Sequence, residues 1–207
     1  LAFGVGATGE AATNWLFAGL TFFFYNQVLG LSSSLTGTAV LIAIIFDAIS
    51  DPVMGSISDR YKSTLGRRHP FMFLAPFPTV IAICLMFFPP VGLSEYGLFA
   101  WLIVSTIILR LSITLFAVPH LALGAELSED YIERSVVMSY NNLLGYVGVI
   151  IMHVFVWFLV FPNFAGDKIG QLNQDAYTPI VIFSTVLIAL CILSSALSLI
   201  HISEPTR

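Results

Sequence analysis

Charged side chains are scarce in this chain. Eight Lys and Arg and twelve Asp and Glu make up 10% of 207 residues, against about a quarter in soluble domains, which excludes a water-soluble globular domain. Cysteine is nearly absent. Cys84 and Cys191 each stand alone in an apolar run, a pattern of packing residues rather than of a disulfide or a metal pair. A basic surface is lacking as well: the net charge is −4 and the few basic residues are clustered, which argues against a nucleic-acid partner. What is abundant is apolar, 57% of all residues. Runs of about 20 such residues read as bilayer-crossing helices, not as the alternating segments of about 10 that build barrels. The expected fold class is an all-α integral membrane protein.

Six spans are expected in order. The first, 1–29, is small and Gly-rich early (Gly4, Gly6, Gly9) and aromatic later (Trp15, Phe17, Phe22 to Tyr25). Small residues let helices approach closely, and the aromatic block suits an interfacial belt. The others are 35–57, 71–88 before Pro89-Pro90, 98–118 before Pro119, 135–161, and one from Pro179 onward. Proline cannot continue the helical hydrogen bonding, which sets two of these ends. Loops after the second and fourth spans hold Arg60, Lys62, Arg67, Arg68 and Arg134, while the other loops hold only Lys168. The basic loops are therefore expected on the cytoplasmic side of the cell (inner) membrane, with both ends cytoplasmic.

The sequence opens at Leu1 within an apolar run, so its native start is expected upstream. Residues 197–207, LSLIHISEPTR, match the translation of a common transposase-type sequencing adapter. They are set aside, leaving 1–196 as one six-helix unit expected to be truncated at both ends.

One stretch concentrates the polar chemistry. Asp47 and Asp51 lie one helical turn apart inside an apolar run, and Met54 and Ser58 continue their face. A charge at mid-membrane costs on the order of 3 kcal/mol, so two seldom persist without use. Two carboxylates so close do not both ionise cheaply: one holds a proton, or a cation sits between them. Pro52 frees the carbonyl of Ala48, which with Ser50 makes an oxygen-rich site of the kind Na⁺ would use. The plainer alternative is an acid pair neutralised by a neighbouring helix. Arg110, mid-way along the fourth span with Thr114 one turn on, is the candidate counter-charge, either switching with the ion or forming a static pair. No metal site other than one for Na⁺ at Asp47 and Asp51 is expected, and no cofactor.

Further polar groups interrupt the apolar spans. Glu10 shares a face with Asn14, and Asn142 with His153. Together with Asn141 they read as the lining of a polar cavity between the first and fifth spans, or as interhelical hydrogen-bonding glue. His120, after Pro119, reads as a capping or interfacial residue. At the cytoplasmic edge, Gly55, Asp59, Arg60, Gly66, Arg67 and Arg68 combine a close-approach glycine with an acid and forked cations. Such a cluster can latch helices through charge-assisted hydrogen bonds that break on movement; alone, it would be a positive-inside anchor.

Asp47-x-x-x-Asp51-Pro52-x-x-Gly55-x-x-Ser58-Asp59-Arg60, then Gly66-Arg67-Arg68-x-Pro70-Phe71, resembles the major facilitator superfamily, specifically its glycoside–pentoside–hexuronide:cation symporter branch. The segment Val118-Pro-His-Leu-Ala-Leu-Gly-Ala-Glu126, continuing to Arg134, is similar to that branch's loop after its fourth helix. The resemblance implies the N-terminal six-helix bundle of a twelve-helix fold. It implies a symporter of sugars or glycosides, coupled to H⁺ or Na⁺ and working by alternating access, with a C-terminal bundle of the same protein as partner. By position the cation site falls on Asp47, Ser50, Asp51 and Thr114, with Ser50 where the family has Asn. The substrate cavity falls on Glu10, Asn14, Arg110 and Asn142, and the cytoplasmic gate also takes Glu126 and Arg134. The family's sugar-gripping acids fall on Ala11 and Ala117, its stacking Trp on Leu121 and its sugar-binding Arg on Asn142, while Glu10 stands for a Lys and Arg110 for a small residue. The ion machinery is thus kept and the galactoside site is not, which leaves another glycoside, a uronate or an amphiphilic lipid as substrate. Arg110 beside the acids favours H⁺ over Na⁺. An intramembrane aspartyl hydrolase is a distant alternative, since its acids normally come from different helices.

Overall fold

The structure, a computed structural model, describes residues 2–63, 66–127, 130–166 and 169–199, and all regular structure among them is helical. Helix α1 (Ala2–Trp15) runs on through two π-helical turns, Leu16–Thr21 and Phe24–Val28. Then come α2 (Ser33–Arg60), α3 (His69–Leu74), α4 (Pro76–Phe87) and α5 (Glu95–Glu126). Helix α6 (Tyr131–Val154) is prolonged by a π-helical segment, Phe155–Val160, and a short α7 (Phe161–Asn163); α8 (Tyr177–Leu199) follows. Among the described residues, five stretches are long and apolar enough to cross a membrane: Ser33–Arg60, His69–Phe87, Glu95–Glu126, Tyr131–Asn163 and Gln174–Leu199. The protein is therefore a multi-pass, membrane-embedded α-helical chain.

The first expected span is helical over 2–28 but is not one of those five. Its composition explains the difference. Glu10, Asn14 and a series of Gly, Ala and Thr make it less apolar, and it packs against α6 and α8 with Ala12, Thr13 and Leu16 buried. A helix walled in by protein needs small residues for close contact more than it needs lipid-soluble ones. Gly148 of α6 shows how close: a Cβ there would lie 2.4 Å from the Thr8 carbonyl oxygen. Thr8 Oγ1 in turn donates to Leu144 O at 2.9 Å.

Several expected ends move. Helix α5 does not stop at Pro119 but passes through it to Glu126, with Pro119 buried. With no water in the bilayer core to compete, one lost backbone hydrogen bond does not end a packed helix. Its start, Glu95, is set by Ser94, whose hydroxyl accepts from Gly97 N at 3.2 Å. Helix α6 begins at Tyr131 rather than at 135, because Asp130 caps it, accepting from Ile132 N and Glu133 N. Helix α8 begins at Tyr177 and includes Leu197 to Leu199; the rest of the adapter-like segment, like Lys168, lies outside the described residues. His120 is not interfacial. It is buried between the rings of Phe3 and Phe116, at 4.1 and 4.7 Å, with Nε2 2.9 Å from Phe3 O.

Helix α2 stands apart from α1, α6 and α8 and leans on α5. Ile44, Ile45, Ile49 and Val53 of α2 are left exposed. This lean brings the acid-bearing face of α2 onto α5.

Candidate functional site

Two i, i+4 pairs meet across the α2–α5 contact. Asp47 and Asp51 from α2 face Arg110 and Thr114 from α5, so equal one-turn spacings on adjacent helices place side chain against side chain. Arg110 Nη2 pairs with Asp47 Oδ2, and the two side chains are 16% and 19% exposed, well withdrawn from solvent. Arg110 Nη1 donates to Asn14 Oδ1 of α1 at 2.8 Å, and the guanidinium carbon lies 5.2 Å from the centre of the Phe17 ring. Thr114 has one hydroxyl proton and two acids in reach: Asp51 Oδ1 at 2.9 Å and Asp47 Oδ1 at 3.5 Å. The shorter contact is the hydrogen bond.

Ser50 is turned differently. Its hydroxyl donates to its own helix, to Asp47 O at 3.1 Å, and it helps to line an apolar cavity of about 280 Å³ between α2 and α5 with Val53, Leu111 and Thr114. The oxygens that converge are thus those of Asp47, Asp51, Thr114 and Asn14, with a guanidinium among them. Two carboxyls of one helix, one of them held by Arg110, do not face each other across a water as aspartyl hydrolysis requires.

A second cavity, of about 460 Å³, lies between α1 and α6. Glu10, Asn14 and Trp15 form one wall and Asn141, Asn142 and Tyr146 the other, with Ala11 and Gly145 between them. Asn141 Oδ1 is buried and finds no donor among the described residues. Arg110 is not on the lining; it stands behind Asn14, so one guanidinium touches both the acid pair and the cavity wall. His153 lies one turn past Val149 and packs edge-on to Trp15, ring centres 6.0 Å apart.

At the other end of α2, Arg68 gathers the expected gate. Its guanidinium is 2.9 Å from Asp59 Oδ1 and 2.9 Å from Glu126 Oε2, joining the last turns of α2 and α5 to the start of α3. Gly66 holds φ +90° in the turn before α3, a conformation favoured by glycine, and its carbonyl accepts from Ser63 Oγ at 2.6 Å. Gly55 faces Val118, whose Cγ1 would be 3.7 Å from an added Cβ. Arg60 is exposed in the last turn of α2, where a cation suits the helix dipole. Arg67 flanks Arg68, and Arg134 sits in the first turn of α6, its N–H bonded to Asp130 O.

Sequence reasoning passed over Trp15, Tyr146 and Phe17. Phe17 lies three residues after Asn14, hence on the same face, which was the one signal for its place beneath Arg110.

Comparison with known proteins gives the chain relatives. The family model described as MFS/sugar transport protein matches residues 2–206. The uncharacterized symporter YnaJ of Bacillus subtilis (strain 168) is 33% identical over 153 residues, 72% of this chain and 33% of its own length. The putative glycoside/cation symporter YagG of Escherichia coli (strain K12) is 31% identical over 143 residues, 68% of this chain and 31% of its own. The inner membrane symporter YicJ of Escherichia coli (strain K12) is 28% identical over 187 residues, 88% of this chain and 40% of its own. The chain spans about a third of the length of the curated relatives it matches. With its helical membrane architecture and a family model that covers nearly every residue, the chain belongs to the MFS/sugar transport protein family.

Proposed function

We propose that this chain is the N-terminal bundle of a cation-coupled symporter of sugars or glycosides, working by alternating access in the cell (inner) membrane with both ends cytoplasmic. The observation that carries the proposal is the double contact of Arg110, on Asp47 with one nitrogen and on Asn14 of the cavity wall with the other. Coupling needs each ligand to discriminate between the same two states, and a shared charged group is one physical means. The coupling ion, H⁺ or Na⁺, is assigned to Asp47 and Asp51 with Thr114, and Ser50 supports the backbone of that turn. Substrate is assigned to the α1–α6 cavity, with a second bundle of the same protein supplying the opposite wall. Arg68 with Asp59 and Glu126 acts as the cytoplasmic gate.

Ala11 on the cavity floor favours a substrate other than an α-galactoside, since no acid stands there to grip galactose hydroxyls. A uronate or an amphiphilic lipid is the second reading, and substrate competition separates it from a neutral glycoside. The test of the ion site is Asp51→Asn in the full-length carrier. Accumulation against a gradient should vanish while counterflow remains; unchanged accumulation refutes the assignment.

A further inference from the structure

We propose that Arg110 is a resident cation of the acid pair, standing where an alkali ion would bind and so excluding Na⁺ from Asp47 and Asp51. This rests on the ion-site reading above and narrows it. The geometry gives the first reason. The guanidinium takes Asp47 Oδ2 directly, and Thr114 spends its only proton on Asp51 Oδ1 while lying 3.5 Å from Asp47 Oδ1. One oxygen of each acid, Asp47 Oδ2 and Asp51 Oδ1, is thus already committed to an N–H or O–H donor, and the guanidinium occupies the space between the acids and Asn14.

Anchoring gives the second. Arg110 is held from three helical elements: Asp47 of α2, Asn14 Oδ1 of α1 at 2.8 Å, and the ring of Phe17 at 5.2 Å in the turn after α1. It is 16% exposed and does not reach for the surface. A side chain tied this way stays at the acids without being re-recruited from solvent.

Charge gives the third. Guanidinium does not deprotonate in proteins, so the site cannot be cleared by losing a proton from Arg110. An incoming Na⁺ would meet a fixed like charge at contact distance in a poorly solvated setting, where such repulsion is strong. The carboxyls around Arg110 are Asp47 and Asp51 from α2 and Glu10 from α1. Neutralising Arg110 leaves these acids with Thr114 and the Asn14 carbonyl, a negatively charged oxygen set suited to a hard cation.

The test is saturable binding of radioactive sodium to the purified chain in detergent. Wild type and Arg110→Lys are expected to show sodium affinity at least roughly tenfold weaker than Arg110→Ala, which should bind saturably. Adding Asp51→Asn should remove that difference. Should Arg110→Ala leave the acids too exposed to one another to fold, Arg110→Gln removes the charge and keeps an amide for Asn14. Saturable wild-type binding as tight as that of Arg110→Ala, and abolished by Asp51→Asn, overturns the proposal and leaves the ion site standing. Absence of binding in every folded neutral variant also overturns it. If Asp51→Asn then leaves accumulation by the full-length carrier unchanged, the ion-site reading falls with it.

Discussion

Asn14 of α1 accepts a 2.8 Å hydrogen bond from Arg110 Nη1 of α5, and the same asparagine lines the α1–α6 cavity. The bond is charge-assisted and shielded from solvent, so removing its acceptor leaves a guanidinium N–H stranded. Asn14→Leu is expected to cost about 1–3 kcal/mol. For a chain of this size the melting temperature should drop by roughly 2–4 °C per kcal/mol. Asn14→Asp keeps an acceptor and should melt near wild type. Thermal unfolding of the purified chain followed by tryptophan fluorescence checks both.

Arg68 should matter more to access than to stability. Arg68 is itself buried, but its partners Asp59 and Glu126 are 58% and 48% exposed, so Arg68→Gln removes the buried charge and leaves two carboxylates that water can solvate. What Arg68 does hold together is the end of α2, the end of α5 and the start of α3. Ser58, fully buried two residues before the end of α2, is a convenient reporter. With Ser58→Cys in place, Arg68→Gln should raise the rate of maleimide labelling from the cytoplasmic side, with little change in melting temperature. Equal labelling in both backgrounds would remove Arg68 from the gate.

The helices and the acid pair were legible because lipid imposes simple rules: long apolar runs, and few idle charges. Spacing put Asp47 with Asp51 and Arg110 with Thr114 on common faces, charge suggested Arg110 as the counter-charge, and the family resemblance placed Thr114 with the acids. Other features depended on tertiary packing and left no local mark. Ser50 has the right oxygen but bonds back to Asp47 O, a choice made by its rotamer. Pro119 reads as a stop, yet neighbouring helices hold α5 together through it. His120 looks interfacial until Phe3 and Phe116, far away in sequence or one turn back, enclose it. That Arg110 sits behind the cavity rather than on its wall depends on how α1 is rotated, which periodicity alone did not determine.

Asn141 offers a trade between stability and binding. Its Oδ1 is buried on the cavity wall without a donor among the described residues, and a buried unpaired acceptor costs about 1–3 kcal/mol. A hydroxyl-rich substrate would supply the donor once its entry moves α6 enough to open that oxygen to the cavity. Asn141→Leu should therefore raise the melting temperature of the purified chain. In the full-length carrier it should raise KM for a transported glycoside by roughly tenfold, the worth of about one hydrogen bond of 1.4 kcal/mol. A lower melting temperature, or an unchanged KM, would argue that the amide serves packing only.

The α1–α6 contact, on which the cavity depends, turns on Gly148. A Cβ at that position would meet Thr8 O at 2.4 Å and Thr8 Cα at 3.0 Å, backbone atoms that cannot rotate away. At Gly37, near the start of α2, an added Cβ has only Phe22 Cε2 within reach, at 4.0 Å. The two glycines thus predict opposite signs for the same substitution. Gly148→Ala must push α6 from α1 and should destabilise by about 1–3 kcal/mol. Gly37→Ala meets no obstacle and should gain up to about 1 kcal/mol from helix propensity. Because Asn14, Trp15 and Glu10 share α1 with Thr8, the Gly148→Ala shift should also widen the cavity. Double electron–electron resonance between spin labels on the exposed ends of α1 and α6 would report that shift as a longer distance. An unchanged distance with unchanged melting would mean that the helices are not in the contact described.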